Sequence, residues 1–375
     1  MKTGSGVEVV PVVTSDQLAA FIRLPWAIYR NDPNWAPPLI RDVKTAFNPS
    51  KHPFHAHSEV QPFLSLRDGK PVGRIAAVRN RNHERFHEEP VGFFGYYECV
   101  DDPDASRALF DATASWLSER GLKTMRGPTS FSTNEVTGLL VDGVEGLPVL
   151  MMAYNPPYYV DQIEAYGFQT AKTLLAYMID DQTQPEHLHR ASRIVRRRAG
   201  VTMRTMNMKK FDSELALVRK IYNSAWEKNW GFVPMTDAEF AFMAKELKPI
   251  IDPSIAVFAD TSDGETIAFA LALPDFNIVL RKMNGRLLPF GLLKALWYGR
   301  KIHRARVLTL GVAEGYRGKG IDAALILELY RNGTARGINQ AELSWVLEDN
   351  EKMRAALERL GARAYRRYRL YDADL

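Results

Sequence analysis

The sequence predicts an α/β protein of layered α+β type, built as two tandem domains on one plan. Three observations predict this. The same order of parts, namely strand, loop, helix, strand, helix, strand, occurs twice along the chain. Helix-ending segments recur at matching places, SERGL at 118–122 and TARGI at 334–338. The 375 residues suffice for two domains of ordinary size, and a 46% hydrophobic share supplies two cores.

The elements follow in order. Residues 7–13 (VEVVPVV) read as a strand and 15–29 (SDQLAAFIRLPWAIY) as a helix. Residues 63–80 alternate as a hairpin turning at Asp68 and Gly69. VGFFGYYECV at 91–100 is a strand, and 104–121 is a helix ending at Arg120 and Gly121. LKTMRGP at 122–128 takes the next strand position. NPPYYVDQIEAYGF at 155–168 is a short helix stopping at Gly167, and 169–180 is a strand. From Asp180 to Gly200 the chain is polar and basic, without a long apolar face. This sets a first domain at 1–182, a linker at 183–199 and a second domain at 200–375.

The second half repeats the order. VTMRTMNM at 201–208 is a strand and 211–226 a helix. Residues 255–274 form a hairpin turning near Asp263 and Gly264. VLTLGV at 307–312 is a buried strand. The next helix carries Ile321, Leu325 and Leu329 on one face and ends at Arg336 and Gly337. INQAELSWVL at 338–347 is a strand, 350–361 a helix, and ARAYRRYRLY at 362–371 a closing strand.

A net charge of +5 is compatible with an anionic ligand and too weak to indicate nucleic acid, so none is expected. Cys99 is the lone cysteine, which excludes an intramolecular disulfide and points to a reducing compartment. The first residues make a poor signal peptide, and no run approaches the roughly 20 apolar residues of a membrane span. The expected location is the cytoplasm. Between the second hairpin and the strand at 307–312 lies an extra apolar segment, 287–298, with basic flanks. It reads as a packed helix, as a peripheral contact with the inner membrane, or as a wall of a long-chain pocket.

The motif that carries chemistry is YRGKGID at 316–322. Helix N-termini leave N–H groups unpaired and hold partial positive charge, so a phosphate can dock there. Glycine admits close approach, and Arg317 and Lys319 add charge. The alternative is a basic turn before a helix. The matching loop of the first half reads DDPDASRAL, where Asp101, Asp102 and Asp104 would repel phosphate. The first half is therefore expected to lack the ligand.

A strand, an R-G-x-G loop, a helix, a strand and an Asn-led helix ending in Gly resemble the GNAT superfamily of acyl-CoA-dependent N-acyltransferases. The likeness covers nearly the whole chain as two copies. It implies two mixed, mainly antiparallel twisted sheets with flanking helices. It implies acetyl-CoA or a longer acyl-CoA as co-substrate, a primary amine as acceptor and no metal. The pyrophosphate loop falls on Arg317, Gly318, Lys319, Gly320, Ile321 and Asp322, and the oxyanion-binding main chain on Leu310, Gly311 and Val312. The later motif starts at Asn350 and closes at Gly361 and Ala362; in the first half it is Asn155, Tyr158, Tyr159, Gly167 and Phe168.

Two positions depart from the family. Asp322 stands where Gly or Ala is usual, and Leu357 where a Tyr often protonates the leaving thiolate. Tyr316, Tyr365, Tyr368 and Tyr371 are substitutes for that acid, and Tyr368 is taken as the candidate. Among Glu342, Glu348 and Asp349, Glu348 is favoured as base. Asn223, Trp226, Asn229 and Trp230 occupy the region that caps the acceptor site in the family. His52, His55 and His57 lack a common zinc spacing, and no metal is expected. The chain also resembles bacterial double-GNAT proteins, some linked with N-acylation of long-chain sphingoid bases. The competing readings are a Fem-type transferase using aminoacyl-tRNA and a non-catalytic acyl-CoA-binding module.

Overall fold

The computed structural model describes residues 6–180, 186–226 and 229–375. β1 (Val7–Pro11) leads into α1 (Ser15–Ile28), whose start is fixed by a capping box between Thr14 and Gln17. After α2 (Ile40–Ala46), β2 (Ser58–Arg67) and β3 (Lys70–Asn80) form the expected hairpin. It turns through Asp68 and Gly69 at φ 50° and 71°, the left-handed pair that matches strand twist. Next come α3 (Arg81–His87), β4 (Val91–Cys99), α4 (Pro103–Ser118) and β5 (Thr124–Gly127). A small ribbon follows, β6 (Thr129–Ser130) with β7 (Val136–Thr137), then β8 (Leu139–Asp142). α5 (Tyr159–Tyr166) stops at Gly167 with φ 112°, and β9 (Gln169–Asp180) ends this stretch.

α6 (Glu186–Ala199) lies where the sequence reading expects a linker; residues 183–185 of that linker fall outside the described residues. β10 (Val201–Thr205), α7 (Phe211–Trp226), α8 (Asp237–Leu247), β11 (Ala256–Thr261) and β12 (Thr266–Pro274) follow. The extra segment forms α9 (Asn277–Met283) and α10 (Gly291–Gly299). β13 (Arg304–Val312), α11 (Ile321–Ala335), β14 (Gln340–Leu347), α12 (Glu351–Arg359) and β15 (Arg363–Asp374) complete the chain.

The chain divides into two compact units. The first holds Met1–Leu174, Asn277–Leu296 and Arg366–Leu375; the second holds Leu175–Phe276 and Trp297–Tyr365. In the first the strand order is β1-β2-β3-β4-β5-β15, antiparallel but for the parallel β4–β5 pair. In the second it is β10-β11-β12-β13-β14, antiparallel but for the parallel β13–β14 pair. Each is thus the mixed, mainly antiparallel sheet that the sequence predicts.

Helices cover the sheets through the stripes read from the sequence. α4 buries Ala105, Leu109 and Leu117 among Val7, Ile75 and Phe94. α11 buries Ile321, Leu325 and Leu329 among Val257, Ala268, Ala270 and Ala305. Each buried leucine or isoleucine contributes about 1.5–3 kcal/mol. On the other face of the second sheet, α7 packs Val218 and Ile221 on Phe258 and Phe269. Among the described residues no helix is long and apolar enough to cross a membrane.

Candidate active site

The site begins with two strands that separate. β13 and β14 pair from Arg304 with Gln340 to Val307 with Leu343, and there the pairing ends. At the same point β13 bulges against β12: Val307 faces Ala272 and Thr309 faces Leu271, so Leu308 is the extra residue. A bulge turns the local peptide groups out of the ladder. Thr309 follows Leu271 to the α7 face, and its Oγ1 is buried with no hydrogen-bond partner among the described residues. Such an orphan costs stability unless a ligand or water meets it.

Below the opening lies a buried polar network. Arg306 and Glu342 are direct cross-strand neighbours, 2% and 0% exposed. Arg306 Nε lies 4.0 Å from Glu342 Oε1 and donates to Ser344 Oγ at 3.1 Å. Ser344 in turn donates to Glu342 Oε1 at 2.6 Å, and the Tyr365 hydroxyl donates to Glu342 Oε2. The Arg306 guanidinium sits 4.9 Å from the Trp345 ring centroid. A buried carboxylate needs such partners, and this one has a cation and two hydroxyls.

The loop after β13 supplies the second part. Gly318 has φ 74° and would direct a Cβ into open space, so the main chain there is bare. Gly320, at φ 79°, is the N-cap of α11, and no side chain caps the helix. Its first N–H groups and the positive end of its dipole are thus left for an anion. Arg317 Nε ties the loop to the Val312 carbonyl at 3.2 Å, and the Lys319 ammonium lies 4.8 Å from the Tyr316 ring centroid. Asp322 is exposed in the first helical turn. These residues fit the pyrophosphate of an acyl-CoA.

The sequence reading missed α6. Val195 of α6 lies against Gly320, 3.0 Å from where its Cβ would be. Arg190, Arg193, Arg197 and Arg198 are exposed on the same helix, and Arg196 bridges to Glu328 of α11 at 3.6 Å. The signal was the run RIVRRR itself, which reads equally well as a solvated linker. What it lacked was any sign that the segment packs on α11.

The other expected residues fall as follows. Leu310, Gly311 and Val312 continue β13 past the bulge, paired with Ala270, Phe269 and Ala268. Asn350 caps α12 by accepting from the Met353 amide at 3.2 Å. Glu348 follows β14, and its carbonyl accepts from Arg354 at 2.9 Å. Leu357 is buried with Tyr177, Leu343 and Val346. Tyr368 stands in the first unit, completely buried, with its Cβ 3.1 Å from the Cβ position of Gly138. Tyr365, three residues earlier, is the tyrosine that meets Glu342 within the second unit. Trp226 ends α7 stacked on Tyr222 at 5.5 Å; Asn223 and Trp230 are half-buried and Asn229 is exposed. His55 bonds to the Ala46 carbonyl and His57 to Ser58, around the stacked rings of Phe54 and Phe131. Among the described residues no cluster of His, Cys, Asp or Glu is placed to hold a metal.

The first unit repeats the plan with its opening filled. β4 and β5 pair from Val91 with Thr124 to Phe93 with Arg126, and β4 bulges against β3 between Gly95 and Glu98. The Thr129 carbonyl lies 1.7 Å from where a Gly95 Cβ would be, and the Tyr96 amide donates to Ser130 Oγ at 3.1 Å. Asp102 caps α4 through the amides of Asp104 and Ala105, and Arg67 holds Asp102 at 2.7 Å. Beyond the bulge, Glu98 accepts from Tyr29 and Tyr159, each at 2.8 Å, and lies 3.5 Å from Arg74. Burial raises the Glu98 pKa, against the pull of Arg74.

Comparison with known proteins identifies the family and the fold. The sequence model described as the acetyltransferase (GNAT) family matches residues 215–362. "Protein YghO" of Escherichia coli (strain K12) is 36% identical over 97% of this chain and 94% of its own. "Bacterial ceramide synthase" of Caulobacter vibrioides (strain NA1000 / CB15N) is 35% identical over 100% of this chain and 99% of its own. Two solved structures share the fold. A tandem GNAT protein from the clavulanic acid biosynthesis pathway has a TM-score of 0.58 at 12% identity, covering 98% of both chains. A GCN5-related N-acetyltransferase from Sphaerobacter thermophilus has a TM-score of 0.55 at 15% identity, covering 98% of this chain and 95% of its own. The chain belongs to the GNAT acetyltransferase family, N-acyltransferases that take their acyl group from acyl-CoA.

Proposed function

We propose that the chain transfers an acyl group from CoA to a primary amine carried on a long alkyl chain, by direct attack in the second unit. The observation that carries the reading is one conjunction. An uncapped helix N-terminus follows a strand that parts from its neighbour above the buried Glu342–Tyr365 pair. The reading assigns the CoA pyrophosphate to the amides of Gly318 to Asp322, with Arg317, Lys319 and the α6 arginines adding charge. The parted strands then receive the pantetheine arm.

The chemistry needs two proton transfers. An alkylammonium has a pKa near that of lysine, about 10.4, and must lose one proton before its nitrogen attacks the thioester carbon. Glu342 takes that proton through the Tyr365 or Ser344 hydroxyl. The C–N bond forms, the C–S bond breaks, and the second amine proton passes to the leaving thiolate. Main-chain N–H groups at the Leu308 bulge steady the oxyanion. In this reading Glu342 is the base in place of Glu348, Tyr365 relays the proton to it, and the second amine proton serves the thiolate for which Tyr368 was the candidate acid.

One observation supports the long chain: the Caulobacter relative, similar over the full length, is named for ceramide synthesis. A long-chain amine partitions into bilayers, so the reading includes peripheral contact with the inner membrane. The test is CoA release across an amine series from short polyamines to sphingoid bases. Faster turnover of the long-chain amines is expected. Equal or faster turnover of short polar amines overturns the lipid acceptor and leaves the N-acyltransferase standing.

A further inference from the structure

Among the described residues four large apolar side chains are exposed singly, far apart in the sequence: Val13, Phe86, Ile194 and Met353. Six others fall in one short stretch. Leu288 is 68% exposed, Phe290 65%, Leu292 53%, Leu293 63%, Leu296 69% and Trp297 63%. Scattered apolar residues need no explanation, but a contiguous patch marks a contact surface.

The helix that carries four of them, α10, is turned inside out. An ordinary surface helix buries its large apolar side chains and exposes its small or polar ones. Here Gly291 is buried, and a Cβ there would come within 2.6 Å of the Arg286 carbonyl. Ala295 is half-buried on the same side. The small face therefore packs inward, and Leu292, Leu293, Leu296 and Trp297 face solvent.

The surrounding charge has one sign. From Phe276 to Ala313 the sequence contains eight Lys or Arg and no Asp or Glu. Arg304 is committed to Asp275 and Arg306 to the Glu342 network. Arg281, Arg286, Lys294, Arg300 and Lys301 are exposed and pair with no carboxylate among the described residues. Within the first unit, Arg23, Arg286 and Lys294 line a cavity of about 430 Å³ together with Trp26, Met283 and Phe290. Cations, an indole and an open apolar edge in one cavity suit a phosphodiester headgroup whose chains continue along the patch.

We infer that residues 288–297 form a docking surface for an anionic lipid bilayer, with the cavity beside Trp26 holding a headgroup phosphate. The apolar side chains enter the acyl boundary while the flanking cations meet anionic headgroups. The inference rests on exposure and charge and not on the acceptor reading, so either can fail without the other.

The test uses the full chain and large unilamellar vesicles, of phosphatidylglycerol mixed with phosphatidylcholine or of phosphatidylcholine alone. Co-sedimentation should favour the anionic vesicles by about tenfold or more and fall with added salt. Leu292→Ser with Leu296→Ser should lower retention by about tenfold, as should Arg286→Ala with Lys294→Ala. Val13→Ser, at an isolated exposed position, should change nothing. Thermal unfolding of each variant checks the fold. No retention of the wild type on anionic vesicles overturns the inference, as does unchanged retention of both double variants. A concentration-dependent dimer in sedimentation velocity, dissolved by the leucine variant, also overturns it and assigns the patch to a second copy.

Discussion

The two units share a device and use it in opposite ways. In each, a strand bulges, its parallel neighbour departs after a few residues, and a helix starts beyond the strand. In the first unit every exposed end of the device is satisfied from within. Asp102 supplies the helix cap, and the Ser130 hydroxyl takes the amide at the bulge. The Thr129 carbonyl occupies the space that only a glycine at Gly95 leaves. In the second unit the cap is a glycine with no side chain, and the Thr309 hydroxyl has no partner among the described residues. The lesson is that a binding site can be the same fold with its internal hydrogen bonds withheld. In the first unit the cap and the bulge amide are both met from within the chain.

The comparison breaks most readily at the chemistry. Tyr365→Phe and Glu342→Gln should each lower kcat by about a hundredfold or more, with acyl-CoA affinity little changed. Unchanged kcat in Tyr365→Phe would remove the proposed proton route. Removing the tyrosine hydroxyl that donates to the buried Glu98 of the first unit, Tyr159→Phe, should leave kcat near wild type and act on stability alone.

A pH dependence of stability should belong to the first unit. Burial holds the His83 imidazole down at about 3, with His87 and Arg126 adding to the effect. The unfolded chain binds this proton near pH 6.5 and the folded chain does not. Stability is therefore full above that value and declines as pH falls toward 3, by about 2 kcal/mol at pH 5. Denaturant titrations of wild type and His83→Leu should diverge in slope over this range. Parallel curves would contradict the assignment.

A smaller effect should sharpen the electrostatic contrast. Arg193→Ala with Arg197→Ala should raise the KM for acyl-CoA by about tenfold and weaken its salt dependence. A KM unmoved by both changes would leave α6 as packing only. The smallest effect should come from the first-unit cap. Asp102→Ala should cost about 1 kcal/mol of stability, read as a lower Tm, with turnover intact.

Much of this contrast was legible in the sequence. RGKG against DDPD was legible as a basic, glycine-rich helix start against an acidic one, because a few local residues decide it. The duplicated order was legible because each element is set by its own periodicity. The filling of the first opening was not. The Thr129–Ser130 segment looks like any short loop, and its contact with Gly95 and Tyr96 depends on strand pairing across the unit. The sequence likewise could not show that β15 divides, with Tyr365 in the second unit and Tyr368, from Arg366 onward, in the first. Glu342 was visible only as one acid among three. Its burial follows from the register that sets it against Arg306.

The central claim is that acyl-CoA binds the second unit and not the first. Calorimetric titration of acyl-CoA tests it directly, with thermal unfolding run on each variant. The account predicts a single site per chain. Arg317→Glu with Gly320→Asp should weaken binding by about a hundredfold or more, whereas Asp102→Ala with Asp104→Ala should leave it unchanged. Affinity that survives the second-unit changes and disappears with the first-unit changes would contradict the account, as would two sites of comparable affinity.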